Sequence, residues 1–108
     1  QPVNGSGGYD HCYVVDGPAG VLRPAAKIVE PTTGRVMEIL TTEPAIQFYT
    51  GNFLEGNEKT VGAPKHGAFC LETQHYPDSP NRPDFPTTRL NPGETYKQTT
   101  VHKFSVAK

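Results

Sequence analysis

The chain has 108 residues, with ten Lys and Arg against eleven Asp and Glu and a net charge of -1 when the histidines are neutral. That length is one domain's worth, and that balance leaves no electrostatic footprint for nucleic acid or an anionic membrane. Eleven Gly and eleven Pro beside 34% hydrophobic residues describe a chain that turns often, and no apolar run approaches the roughly 20 residues a membrane helix needs.

The opening, Gln1-Pro2-Val3-Asn4-Gly5-Ser6-Gly7-Gly8, lacks an initiator Met and an apolar signal stretch. It reads as a flexible lead over residues 1–8, and as a processed or cut start. Cys12-Tyr13-Val14-Val15 is a short β-rich run that stops at the turn cluster Asp16-Gly17-Pro18. Val21 to Glu30 and Arg35 to Thr41 flank Pro31-Thr32-Thr33-Gly34, which predicts a hairpin, since Pro presets φ and Gly accepts a positive one. Ala45 to Thr50 is a strand with Ala45, Gln47 and Tyr49 on one face and Ile46, Phe48 and Thr50 on the other.

Residues 51–67 are polar and Gly-rich, a loop of a length uncommon without a function. Phe69 to Gln74 is a strand with one acid among apolar neighbours. His75 to Pro86 then carries Pro77, Pro80, Pro83 and Pro86, a density that bars helix and central strand and predicts an ordered surface excursion. Asn91-Pro92-Gly93-Glu94 is a turn, and Thr99 to Ala107 closes the chain as a strand. About seven short strands, no helix and no repeat predict an all-β fold, an antiparallel β-sandwich or part of one, with residues 1–108 as a single segment.

Glu72 is the first candidate for chemistry, sharing a strand face with Cys70 and Gln74. A carboxylate there is either a solvent-face residue, the commoner case, or a half-buried general base with its proton affinity tuned upward. Asp10, beside His11 after the Gly-rich lead, is either a turn residue or a carboxylate that accepts hydrogen bonds from a polyol. Gln47 is either a satisfied amide or a reader of ligand hydroxyls. Tyr49, Phe53, Phe69 and Tyr76 lie nearby in sequence. Core packing is their ordinary use, and stacking on the C–H face of a sugar is the functional one.

His11, His66, His75 and His102 show no ligand spacing, so a metal site is not expected. Cys12 and Cys70 sit among apolar neighbours and read as reduced, buried thiols rather than a disulfide, which implies a reducing, cytoplasmic setting.

Three segments together carry a resemblance. Gly8-Tyr9-Asp10-His11-Cys12-Tyr13, Thr41-Thr42-Glu43-Pro44-Ala45-Ile46-Gln47-Phe48-Tyr49-Thr50-Gly51-Asn52-Phe53 and Lys65 to Asp78, with Phe69-Cys70-Leu71-Glu72-Thr73-Gln74 at its centre, closely resemble the aldose 1-epimerase (galactose mutarotase) family. Leu90-Asn91-Pro92-Gly93-Glu94-Thr95-Tyr96 and the strand after it look like that family's C-terminus.

The resemblance implies the C-terminal portion of a β-supersandwich that interconverts the α and β anomers of free hexoses such as glucose and galactose, with no cofactor. By the same resemblance Glu72 is the general base, while Asp10 and Gln47 bind substrate. The family's general acid is a His on an Asn-His-x-Tyr-Phe-Asn-Leu motif, which is absent from these 108 residues. The expected partners are therefore a monosaccharide and the missing N-terminal part of the same protein. A non-catalytic carbohydrate-binding module is the alternative reading, and a truncated product without function is a third. The intact Glu72 favours the enzyme, because a binding module has no use for a base.

Overall fold

Glu30 shows how local chemistry builds this chain. Its carboxylate accepts hydrogen bonds from the Thr32 amide at 2.8 Å, the Thr33 amide at 2.7 Å and the Thr33 hydroxyl. Gly34 closes the turn at φ 76°, and its amide donates to the Glu30 carbonyl at 2.8 Å. The predicted hairpin follows as β2 (Arg23–Val29) and β3 (Arg35–Thr41), paired antiparallel with Val29 opposite Val36.

The Thr33 hydroxyl first, and then the two amides, hold the Glu30 carboxyl at about 2 against an ordinary 4.5. Its folded value lies below its unfolded one, so the turn's contribution is present above about pH 4.5 and is lost as pH falls through about 2. A carboxyl NMR titration should place the Glu30 midpoint near 2, and Thr33→Ala should move it up. A midpoint at the ordinary value would mean the turn does not hold its shape in solution.

The computed structural model describes residues 7–107, and among them six strands form two three-stranded antiparallel sheets. The first sheet has β4 (Ala45–Tyr49) between β1 (Asp10–Val14) and β5 (Cys70–Gln74). The second has β3 between β2 and β6 (Thr100–Val106). The fold is all-β, as the alternation predicted, with six strands rather than about seven. The six runs read in chain order are the six strands found, and the two long connections add none. Residues 51–67 hold only the 3-10 turn Glu58–Thr60, and the Pro-rich excursion holds only Ser79–Asn81.

The core sits between the inner faces of the sheets. Val15, Ile39 and Ile46 are buried there, with Ala26, Ile28, Met37 and Leu71 packed against them. Thr100 bridges the layers, its hydroxyl 3.0 Å from the Thr41 hydroxyl and 2.9 Å from that of Thr73. This core is small for the chain. The accessible surface is 7836 Å², where a compact chain of 11.8 kDa exposes about 5,900 Å². The radius of gyration is 16.4 Å against about 13 Å for a compact domain of this length.

One expectation is corrected here. Cys70 is exposed rather than buried, because its face of the first sheet points away from the core; Cys12 is half-buried. Of the lead expected over residues 1–8, residues 1–6 lie outside the described part of the chain, Gly7 is exposed and Gly8 is buried.

Candidate functional site

Strand parity and register decide which side chains of the first sheet share a face. In an antiparallel pair, residues directly opposite project to the same side. Gln47 on the central strand stands opposite Cys12 on β1 and opposite Glu72 on β5. Tyr49 likewise stands opposite Asp10 and Cys70, and Ala45 opposite Val14 and Gln74. Ile46, Phe48 and Leu71 occupy the other face, toward the core. Asp10, Gln47 and Glu72 therefore rise from one outward face. Gln47 and Asp10 meet directly, the amide Nε2 donating to the Asp10 carboxylate at 2.7 Å.

Glu72 is exposed and Gln47 is half-buried. The burial expected of a tuned base is thus not found at Glu72, since β5 is an edge strand whose outward face has no cover among the described residues. Cys12 and Cys70 stand on this same face, two strands and two residues apart. That separation is on the order of 12 Å, beyond the roughly 7 Å a disulfide spans between Cα atoms, and both thiols are free. Gln74 donates to the Cys12 sulfur at 3.8 Å, and burial pushes that thiol up.

The strands that carry the row are held in place by a buried polar network that sequence reasoning missed. Arg23 is 8% exposed, and its guanidinium donates to the carbonyls of Thr41 at 2.9 Å, Glu43 at 2.8 Å and Val15 at 3.4 Å. It thereby joins the ends of β1 and β3 to the lead-in of β4. Glu43 is 3% exposed. Its carboxylate lies 2.7 Å from His75 Nδ1 and accepts from the Tyr96 hydroxyl at 2.7 Å. The one carboxylate thus joins the His75 ring and the Tyr96 hydroxyl. The same carboxylate pushes the Tyr96 phenol up. Glu43 stands just before the strand of Gln47, and His75 just after the strand of Glu72. Their bond therefore fixes the two strands against each other.

A second support lies under Asp10. The Tyr9 amide donates to Thr50 Oγ1 at 2.8 Å, and Asn52 Nδ2 donates to the Tyr9 carbonyl at 3.0 Å. Gly8 packs into these groups. A Cβ built there would lie 2.1 Å from Asn52 Oδ1, 2.4 Å from Thr50 Oγ1 and 3.0 Å from His66 Nε2. Gly8→Ala should therefore destabilise the protein by about 1–3 kcal/mol and shift Asp10 away from Gln47. Denaturant titration of the full gene product would show it, and unchanged stability would mean the lead yields without strain.

Among the described residues no group of three His, Cys, Asp or Glu is arranged to hold a metal ion. None of the four histidines is a member of the row, and His66 reaches Gly8, two residues before Asp10. His11 is opposite Phe48 on the inner face, His66 is beside Gly8, His75 is on Glu43, and His102 is on β6 of the other sheet. The row thus offers a carboxylate, an amide and a second carboxylate over one surface, which is chemistry suited to hydroxyl groups.

Comparison with known proteins bears on that chemistry. The chain is 50% identical over 103 residues to a galactose mutarotase of Bos taurus, and the match covers 93% of this chain and 30% of the relative. It is 48% identical over 103 residues to the galactose mutarotase of Homo sapiens, with the same coverage. Identity to the aldose 1-epimerase of Escherichia coli K12 is 35% over 101 residues, covering 90% of this chain and 29% of the relative. The chain therefore spans about a third of the length of these relatives. A family model described as aldose 1-epimerase matches residues 1–103, a stretch that includes β1 to β5, the first half of β6 and the whole outward row, and the chain belongs to that family.

Proposed function

We infer that the full gene product is an aldose 1-epimerase that interconverts the anomers of free hexoses such as galactose and glucose, with this chain supplying one side of its active site. The observation that carries the reading is the outward row, in which Glu72, Gln47 and Asp10 share one face and Gln47 is already bonded to Asp10. Relatives named galactose mutarotase and aldose 1-epimerase support it.

Mutarotation needs two proton transfers. A base removes the proton of the anomeric hydroxyl while an acid protonates the ring oxygen, and the C1–O5 bond breaks to leave the open aldehyde. Rotation about C1–C2 presents the other carbonyl face, and reclosure returns both protons. Glu72 acts as the base. Asp10 and Gln47 accept from and donate to the sugar's remaining hydroxyls, which fixes the anomeric hydroxyl at Glu72. The bond between Gln47 and Asp10 aligns both side chains before a sugar arrives. The acid is supplied by residues outside this chain. The two free thiols fit a reducing, cytoplasmic setting.

Polarimetry on freshly dissolved α-galactose tests the reading. The full gene product should bring the rotation to equilibrium in proportion to enzyme added, without metal or nucleotide. Binding of galactose with no change in the mutarotation rate would favour the carbohydrate-binding alternative instead.

A further inference from the structure

Next to the row lies an apolar cavity that proton transfer does not use. It has a volume of about 430 Å³ and is lined by Cys12, Val14, Tyr76, Pro77 and Phe85. Cys12 and Val14 belong to the outward face of β1, so the cavity opens on the same side as Asp10, Gln47 and Glu72. Its wall is the start and end of the Pro-rich excursion, which folds back toward β1.

That wall is built rather than loose. The Tyr76 and Phe85 rings meet edge to face, with centroids 5.0 Å apart. The Arg82 guanidinium covers Phe85 at 4.7 Å from the ring centre. The Ser79 hydroxyl donates to the Tyr76 carbonyl, and Asn81 Nδ2 donates to the Asp78 carboxylate at 2.6 Å. The floor carries a neutral thiol, pushed up by burial, and Val14, which is 70% exposed. A hydroxyl-coated hexose gains little from such a lining, and an alkyl or aryl group gains much.

We propose that this cavity is an apolar subsite for a substituent carried by the sugar on an oxygen remote from C1. The proposal rests on the epimerase reading. In the register Glu72–Gln47–Cys12, strands lie about 4.8 Å apart, so Cys12 is about 10 Å from Glu72 with Gln47 between them. A sugar with its anomeric hydroxyl at Glu72 and its other hydroxyls at Gln47 and Asp10 has its far end over β1, between Asp10 and Cys12. Substituents at O4 or O6 then enter the cavity and leave the anomeric centre free to react.

The test compares galactose with 4-O-benzyl and 6-O-benzyl galactose as substrates of the full gene product, followed by polarimetry. At least one ether should show a KM about tenfold lower than galactose. Its kcat should be close to that of galactose, because burial of the ring is felt equally in ground and transition states. Phe85→Ala should bring the ratio of the two KM values close to one. Val14→Asn should do the same, at a position that is 70% exposed in this chain.

The proposal is overturned if neither ether gains. It is overturned equally if the gain survives both variants, or if only a phenyl galactoside, substituted at C1, binds more tightly than methyl galactoside. Turnover of galactose without any benzyl gain would remove the subsite and leave the epimerase reading standing. Absence of turnover on galactose itself would remove both.

Discussion

Glu72→Gln in the full gene product is expected to lower kcat for mutarotation by about 10²–10⁴-fold while leaving KM within a few fold. The substitution keeps the size and planarity of the side chain on the outward face of β5, so the pairing of Glu72 with Gln47 across the sheet is undisturbed. What it removes is an atom able to take a proton from the anomeric hydroxyl. An effect confined to kcat distinguishes a base from a binding group, because loss of a hydrogen bond made equally in both states appears in KM. Polarimetry over a range of sugar concentrations separates the two. A Glu72→Gln enzyme with near-normal kcat would take Glu72 out of the mechanism, and a large rise in KM alone would make it a binding residue beside Gln47.

The features legible in the sequence were those written in local rules. Pro31 and Gly34 mark the β2–β3 turn, and alternation in β4 and β5 separates Gln47 and Glu72 from Phe48 and Leu71. Parity alone put Glu72 on a face with Cys70 and Gln74, and the register agrees. It could not put Asp10 on that face, because the pairing of β1 with β4 joins residues 37 apart along the chain in the Asp10–Gln47 bond.

The same limit hid the support beneath the row. Glu43 looks like a turn residue before Pro44, and only the fold brings it to Tyr96, 53 residues away. Arg23 appears as an ordinary strand cation until its donors are seen to close carbonyls from three separate segments. Gly8 reads as linker because nothing local says that Thr50 and Asn52 will close around it. Cys70 was read as buried for a related reason. Its neighbours Phe69 and Leu71 are apolar, but burial depends on what covers the outward face, and strand composition does not specify that.

Expressed alone, the 108-residue chain is expected to unfold over a broad range, to bind an apolar dye before unfolding, and to leave the mutarotation rate of galactose unchanged. The register of the second sheet gives the structural reason. β6 pairs with β3 so that His102 stands opposite Ile39 and Phe104 opposite Met37, which puts Phe104 on the inner, core-side face. Yet Phe104 is 72% exposed and Val106 is 68% exposed, whereas Thr100 at the start of β6 meets Thr73 of the first sheet. An inner face without an opposing layer loses the packing that makes unfolding cooperative. The chain buries about 54% of the roughly 17,100 Å² its unfolded form would expose, where a self-sufficient domain of this size buries about 65%.

The expected lack of catalysis has a connected reason. Under the proposed mechanism the outward row supplies a base and two binding groups, His75 is engaged with Glu43, and the motif that carries the family's acid by resemblance is absent from these residues. Differential scanning calorimetry and polarimetry on the same preparation would check both halves. A sharp two-state transition for a monomer would establish an autonomous domain. Measurable catalysis by that monomer would require one of His11, His66, His75 or His102 to reach the row and serve as the acid.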